Sequence, residues 1–324
     1  MPVSIAASSR AISDPAPIDL SDASFVSDEE LRIPVGVNLT LLGASETDVP
    51  GEEATEPFLS RVNFPLLASS VGAAEHGNVD LVTLDRDFHI KAARPPRSGA
   101  LDGVSTAGKL GVGHSLRMCA EIPSDPAYIR TAVQELANTQ LHTAALMITL
   151  QELDDYRDFL KAAEEARASG IELWLLATNP EVTAAHADFS VQLFDAVRVR
   201  TTDKAKARAM RFALHAAADR AQRAITVFAD IGIVISATVQ AAEERALLIS
   251  QLNGTELFQD MAAVVGTVYD VADAIESWVG MGAADGVVLT PASLPTDLAS
   301  VIKGVLPLLE ARATIERSDP RLKP

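Results

Sequence analysis

Cysteine is nearly absent from this sequence, since Cys119 is the only one among 324 residues. A single thiol excludes an intramolecular disulfide framework and fits the reducing conditions of the cytoplasm. No apolar run approaches the roughly 20 residues that a membrane helix needs. The N-terminus also lacks the basic and then apolar segments of a secretory signal. We therefore expect a cytoplasmic protein.

Aromatic residues and positive charges are scarce as well. Aromatic side chains make up 5% of the sequence, so a core has to be built mainly from Ala, Val, Leu and Ile. The 27 Lys and Arg residues face 44 Asp and Glu residues, which gives a net charge of −17 at pH 7. This balance argues against nucleic acid and anionic membranes as partners. An anionic small molecule stays open, because local charge decides its binding.

Metal-binding patterns are missing too. None of the six histidines forms a pair with the spacing of a metal site, and one cysteine cannot supply a set of thiolate ligands. We expect no metal. Cys119 lies in the middle of an apolar run, where a small core residue is the simplest interpretation.

The chain divides into three parts by composition. Residues 1–30 are rich in Ser, Ala, Pro and Asp without sustained periodicity, which predicts a disordered leader. Residues 31–314 alternate short apolar runs with longer helical patterns, as one domain, and residues 315–324 form a tail. Alternation of this kind indicates βα units around a parallel sheet.

Eight apolar runs of strand length lie within this domain. They cover residues 33–39, 80–84, 116–122, 144–150, 172–177, 196–200, 226–235 and 286–289. Helical patterns separate them at 58–75, 101–110, 127–138, 154–169, 181–191, 204–220, 237–252 and 268–279. Eight such units predict a (β/α)₈ TIM barrel. The alternative is an open, doubly wound sheet.

Several of these segments resemble one enzyme family in order and spacing. The chain is similar to the nitrilotriacetate and alkanesulfonate branch of the luciferase-like flavin monooxygenases over about residues 33 to 312. The resemblance lies in DLVTLDRDF at 80–88, SGALDG at 98–103 with LRM at 116–118, AAHAD at 184–188 with FDAV at 194–197, TVFADIGIVI at 226–235, VGT at 265–267 and ADG at 284–286.

This resemblance implies a fold, a cofactor and a reaction. Barrels of this family commonly bind FMN, or sometimes a deazaflavin, at the C-terminal mouth. In this branch a separate flavin reductase supplies reduced flavin, which reacts with oxygen to oxidise a small organic substrate. We expect the flavin near Asp85, Glu121, Thr149, Thr178 and Asn179, and we expect a homodimer. No catalytic residue can be assigned on this basis.

A basic patch follows the second strand. His89, Lys91, Arg94 and Arg97 lie close together in an otherwise acidic chain. Such side chains suit a phosphate or an acidic substrate, so His89 and Arg94 are candidate substrate-binding residues. A flexible, proline-containing surface loop is the alternative interpretation of the same residues.

Three departures from the family pattern support a second hypothesis. Glu121 places a carboxylate near an electron-rich reduced flavin. The turn at 177–181 contains Glu181 and lacks the glycine that lets a backbone approach a phosphate closely. The excursion that the family carries between its fourth and fifth strands is short here. The alternative is therefore a non-catalytic barrel without flavin that serves as a binding or partner-subunit protein.

Overall fold

The computed structural model describes residues 32–39, 64–85, 103–139, 144–149, 156–253 and 256–318. The predicted leader at 1–30 lies outside these ranges. The predicted end of the barrel domain, at residue 314, falls within the final helix, which continues to Ser318.

The strands close into a barrel. Among the described residues they are β1 (Val35–Asn38), β2 (Leu81–Leu84), β3 (Arg117–Glu121), β4 (Ala144–Ile148), β5 (Ile171–Ala177), β6 (Ala196–Val199), β7 (Thr226–Ile235), β8 (Ala262–Gly266) and β9 (Gly286–Pro291). Each pairs in parallel with its neighbour from β1 to β7, and β9 joins β7 to β1. The predicted (β/α)₈ barrel is confirmed, and the open sheet was the wrong alternative.

The eight barrel strands coincide with the eight predicted runs, whereas β8 is an additional strand that the sequence analysis missed. β7 is ten residues long and pairs with β6 only over Thr226–Ala229. β8 pairs with the upper half of β7, from Ile231 to Ile235. The available signal for β8 was the unusual length of the apolar run at 226–235. The other strands are too short to pair with the whole of this run, so a further strand is needed beside it.

Helices cover the outside of the barrel. They are α1 (Phe64–His76), α2 (Gly103–Gly111), α3 (Pro126–Ala137), α4 (Tyr156–Ala168), α5 (Pro180–Ala185), α6 (Ala187–Leu193), α7 (Lys204–Ala221), α8 (Val239–Asn253), α9 (Val268–Gly280), α10 (Thr296–Ser300) and α11 (Leu306–Ser318). A π-helical turn at Val301–Val305 joins the last two. The helix predicted at 181–191 is broken at His186. Within the described ranges, no helix has the length and apolar character to cross a bilayer.

Aspartates fix where two of these helices begin. The Asp125 carboxylate accepts a hydrogen bond from the Ala127 amide at 2.8 Å. The Asp203 carboxylate accepts from the Ala205 amide at 2.9 Å and from the Lys206 amide at 3.1 Å. Side-chain caps of this kind satisfy amides that have no partner within the helix. The helices α3 and α7 therefore each begin at a residue that the preceding aspartate fixes.

Successive side chains of each strand point alternately outward, towards the helices, and inward, into the lumen of the barrel. Outward side chains such as Val197 and Ala229 join the main core beneath the helices. Inward side chains form a second apolar cluster that fills the lower lumen: Leu81, Cys119, Ala145, Met147, Trp174, Leu176, Ala196, Phe228 and Val288. The Trp174 and Phe228 rings are stacked within it, with centroids 5.1 Å apart. We call this cluster the lumen floor.

Barrel closure depends on the space beside Gly286, the first residue of β9. A Cβ atom there would lie 2.6 Å from the Pro34 carbonyl oxygen, a backbone atom that cannot move aside. We predict that Gly286→Ala lowers the free energy of unfolding by about 2 kcal/mol through overpacking. Gly280→Ala is the control, because a Cβ at Gly280 meets nothing within 4 Å. Urea unfolding measures both, and equal stability of the two variants would contradict this account of closure.

Glu75 ties α1 to the start of β3. Its carboxylate bonds the His114 Nδ1 at 2.5 Å and accepts from the Ser115 amide at 2.6 Å. The His114 hydrogen bond, followed by the Ser115 bonds, lowers the pKa of Glu75 from 4.5 to about 2. Because the folded-state pKa is depressed, this contribution is present above pH 4.5 and is lost as the pH falls towards about 2.

We therefore predict that Glu75→Gln destabilises the protein at pH 6 and that its difference from the wild type narrows as the pH falls below 4.5. The measurement is the urea midpoint across that range. Glu164→Gln, on an exposed position of α4, is the control. A difference that stays constant down to low pH would show that Glu75 acts by packing alone.

Candidate functional site

Charged and polar side chains lie above the lumen floor, on the inward positions nearest the mouth. They are Asn38 on β1, Thr83 and Asp85 on and after β2, Arg198 and Arg200 on and after β6, and Asp230 on β7. Hydrogen bonds connect all six. We call this set the lumen cluster. It lies at the C-terminal end of the strands, where barrels of this type carry their sites.

Arg198 and Asp230 form the centre of the lumen cluster. Both side chains are fully buried, and the Arg198 Nε donates to Asp230 Oδ1. Arg200 Nε donates to the other oxygen of Asp230 at 3.0 Å. Desolvation opposes the charge on Arg198, but Asp230 and Asp85 outweigh it and raise the pKa of Arg198. Arg198 is therefore a buried cation, and removing Asp230 would leave its charge without a partner.

Asp85 connects the cluster across the lumen. Its carboxylate accepts from Asn38 Nδ2 at 2.8 Å and from Arg198 Nη1 at 3.3 Å. Arg198 Nη1 also donates to Thr83 Oγ1 at 3.2 Å. Burial raises the pKa of Asp85, but Arg198, Arg200 and the Asn38 hydrogen bond overcome this, so the pKa lies below its ordinary value. Asp85 is thus a carboxylate that faces the mouth and is already bonded.

Two further predicted contacts, Glu121 and Thr149, meet at the ends of β3 and β4. Thr149 Oγ1 donates to Glu121 Oε1 over a long 3.5 Å distance, and both residues are partly buried. The structure thus brings together three of the predicted flavin contacts on neighbouring strands, with Asp85 at the end of β2. Their role in binding a cofactor stays a prediction.

The other two predicted flavin contacts, Thr178 and Asn179, occupy an exposed turn after β5. Asn179 Oδ1 accepts from the Val182 amide at 3.2 Å and caps α5. Glu181 in the first turn pairs with Lys206 at 3.2 Å. Asn179 therefore provides the hydrogen bond that the Val182 amide needs, and Glu181 offsets the positive end of the helix dipole. The helix α5 has only six residues. Nothing in this geometry favours a phosphate at the start of α5.

The remaining candidates divide into two cases. His89 and Arg94 lie outside the described residues, so their assignment to substrate stays a prediction. Cys119 is fully buried in the lumen floor, and burial raises the pKa of its thiol. A protonated, enclosed thiol is a poor nucleophile, in agreement with its interpretation as a core residue.

Sequence reasoning missed Asn38, Arg198, Arg200 and Asp230. The signal lay in the strands themselves. In AVRVR at 196–200 two arginines occupy alternate positions, and Asp230 interrupts the apolar run at 226–235. A charge inside a buried strand has to be paired, so both patterns indicate an inward-facing polar group. Which charges pair depends on register, which the sequence does not display.

A separate cavity of about 520 Å³ opens beside the ends of β7 and β8. Its lining includes Ser236, Arg245, Thr267 and Tyr269. Arg245 Nη2 donates to the buried Asp297 at 2.6 Å and Nη1 donates to the Ile235 carbonyl at 2.6 Å. The Arg245 charge is therefore compensated by Asp297.

Two buried donors on inward strand positions have no hydrogen-bond partner among the residues that the structure describes. They are Arg198 Nη2 and Thr290 Oγ1. Thr290 follows Gly286 and Val288 on the inward positions of β9 and stands beside Gly232 of β7. Buried polar groups normally find partners. The Phe258 ring lies against Gly232, next to Thr290, so this part of the lumen is occupied by a side chain.

Comparison with known proteins supports the fold and not a specific activity. No family model matches the sequence, and no curated protein sequence matches it. Solved structures do match. EDTA monooxygenase from Chelativorans sp. BNC1 shares 14% identity over 87% of this chain and 94% of its own, with a TM-score of 0.64.

Two other matched structures have the same barrel. Riboflavin lyase, solved with modified FMN and riboflavin, has 14% identity over 87% of this chain and 92% of its own, with a TM-score of 0.63. The coenzyme F420 dependent tetrahydromethanopterin reductase from Methanopyrus kandleri has 11% identity over 86% and 99%, with a TM-score of 0.58. The resemblance to luciferase-like barrels is thus confirmed at the level of the fold.

A double-mutant cycle tests the centre of the lumen cluster. We predict that Arg198→Met and Asp230→Asn each cost about 3 kcal/mol of stability, because each leaves the other charge buried and poorly paired. The double variant should lose clearly less than the sum of the two. The control cycle uses Arg220→Met and Asp188→Asn, an exposed pair whose coupling should stay below about 1 kcal/mol. Equal couplings by urea unfolding would contradict a buried ionic centre.

Proposed function

We propose that this protein is a flavin-dependent oxidoreductase. One observation carries the proposal: the charged and polar lumen cluster lies at the C-terminal end of the strands of a barrel whose fold matches FMN-containing and F420-dependent proteins. In its finer form the proposal is a monooxygenase that uses reduced FMN, oxygen and a small organic substrate. A deazaflavin is the alternative cofactor.

The residues present fit one end of a flavin and not the other. Arg198 Nη2 has no acceptor among the described residues, and a flavin ring carries carbonyl oxygens that accept hydrogen bonds. The turn before α5, by contrast, is capped by Asn179 and carries Glu181, so it does not suit a phosphate. When bound, the flavin would supply the redox chemistry, as cofactors generally do.

The protein's own residues would set the surroundings of that ring. The lumen floor closes the site from below with apolar side chains, including the stacked Trp174 and Phe228. Arg198 is held by Asp230 on one side and by Thr83 and Asp85 on the other, so its guanidinium is fixed before any ligand binds. Preorganised donors of this kind bind without a further ordering cost.

The second candidate function is a barrel that has lost flavin and serves as a binding or partner-subunit protein. The self-capped turn at Asn179 and the acid at Glu121 favour it. Leu247, Leu248 and Leu252 on α8 are more than half exposed, which agrees with a protein–protein contact. The first candidate function, the flavin-dependent oxidoreductase, would instead involve a homodimer and a separate flavin reductase as partners.

Flavin titration separates the two candidates. We predict that the purified protein binds FMN or a deazaflavin with a Kd of about 10 µM or tighter, corresponding to roughly −7 kcal/mol. Quenching of fluorescence measures binding of the oxidised forms, and equilibrium dialysis in anaerobic buffer measures binding of the reduced forms. Failure of both forms to bind at high micromolar protein would reject the oxidoreductase and leave the partner-subunit function, whose test is the oligomeric state by light scattering.

A further inference from the structure

Solvent reaches the edge of the lumen cluster and not its centre. The side chains of Asp85 and Arg200 are 26% and 24% exposed. Arg198 and Asp230, at the centre of the cluster, have 0% exposure. A ligand that contacts these two central side chains therefore requires the structure to open above them.

The Phe258 ring covers the inner wall of the barrel above this centre. Gly232 is the next inward position of β7 after Asp230, because inward positions recur every two residues. A Cβ atom built at Gly232 would lie 2.6 Å from Cδ2 of Phe258, and its three nearest heavy atoms all belong to this ring. Thr290 of β9 stands beside Gly232. The ring thus fills the place that a side chain at position 232 would take.

The turn that carries Phe258 has a strained backbone. It lies at residues 257–260, between α8 and β8. Phe258 has a φ of 58° and Asp260 a φ of 61°, in the left-handed region that disfavours residues with a side chain, bulky ones above all. The Met261 amide donates to the Phe258 carbonyl over a long 3.4 Å. Packing of the ring, and not a relaxed backbone, therefore holds the turn in place.

This packing lies in a small cluster outside the main core. Phe258 is only partly buried, against a cluster whose buried members are Val234, Ala242 and Ala292. A cavity of about 600 Å³ borders the turn and reaches Thr202, after the end of β6. Segments with few buried apolar contacts open locally at a lower free energy than the core. The turn therefore has few contacts to break and space beside it to move into.

We propose that the turn at 257–260 is a latch: Phe258 seated on Gly232 closes the centre of the lumen, and local opening of the turn exposes this centre to a ligand. The latch deepens the proposed function by adding a regulatory step at the same site, and it rests on that function only for the identity of the ligand. While the closed state dominates, the apparent affinity of a lumen ligand is reduced by the small open fraction.

A thiol placed beside Gly232 measures opening without any ligand. Thr290→Cys replaces a buried hydroxyl that has no partner among the described residues, so it disturbs little. Cys119 is the only native cysteine and is buried, so the wild type gives the background rate. The rate of labelling by iodoacetamide is measured at urea concentrations below the unfolding transition. We expect slow labelling whose urea dependence is much weaker than that of global unfolding, as for a local opening.

Two variants remove the latch in different ways. Phe258→Ala deletes the ring, and Gly232→Ala fills its seat with a methyl group. Each, combined with Thr290→Cys, should label about tenfold faster or more, because the closed state loses its advantage. Phe212→Ala is the matched control, since Phe212 is an exposed phenylalanine on α7, and it should leave the rate unchanged. Urea unfolding reports whether each variant keeps its fold, and Phe258→Ala suffices if Gly232→Ala does not fold.

FMN binding connects the latch to the proposed function. If the wild type binds FMN, Phe258→Ala should bind it about tenfold more tightly or more, because no closed state competes. Faster labelling of the two variants without FMN binding by any protein rejects the flavin function and leaves the latch standing. Labelling of Thr290→Cys that follows global unfolding, or that is no faster in folded Phe258→Ala, overturns the latch and leaves the flavin function standing. Equal FMN affinity of the wild type and folded Phe258→Ala overturns the latch as well.

Discussion

Pairing between β9 and β1 is the constraint on which the rest of this structure depends. Val35 to Val37 lie beside Val287 to Leu289, and this contact converts a row of parallel strands into a closed wall. Once the wall is closed, every second side chain of every strand is forced into one narrow space. Polar groups on opposite strands, such as Asp85 after β2 and Arg198 on β6, then come within hydrogen-bond distance.

The enclosed space explains why the lumen charges are matched so closely. A single charge at this depth would be very costly, and here each arginine has a carboxylate against it. Within the lumen cluster the two arginines are thus balanced by the carboxylates of Asp85 and Asp230.

The fold could be predicted largely from the sequence, because barrel strands and helices differ in period and length. The runs at 144–150 and 226–235 were clear in the sequence and form strands. β8 was missed because Ala262–Gly266 is a short, partly exposed run whose pairing depends on how far β7 extends. Local pattern alone cannot show such a difference in strand length between neighbours.

The candidate site was less predictable, for a physical reason. Asp85, Glu121 and Thr149 were found because they follow strands, and strand ends converge in any barrel. Arg198 and Asp230 lie within strands, and their pairing depends on the register of β6 and β7, where Arg198 stands beside Phe228. Residues such as His89 and Arg94 lie beyond the described ranges and stay predictions.

The length of β7 has a consequence for access. Its pairing with β6 ends at Ala229, and the strand continues for six more residues beside β8 and β9. At ~3.3 Å per residue this extends it by ~20 Å. Among the described residues, the wall of the barrel is therefore taller on the flank that β7, β8 and β9 form than on the flank of β6.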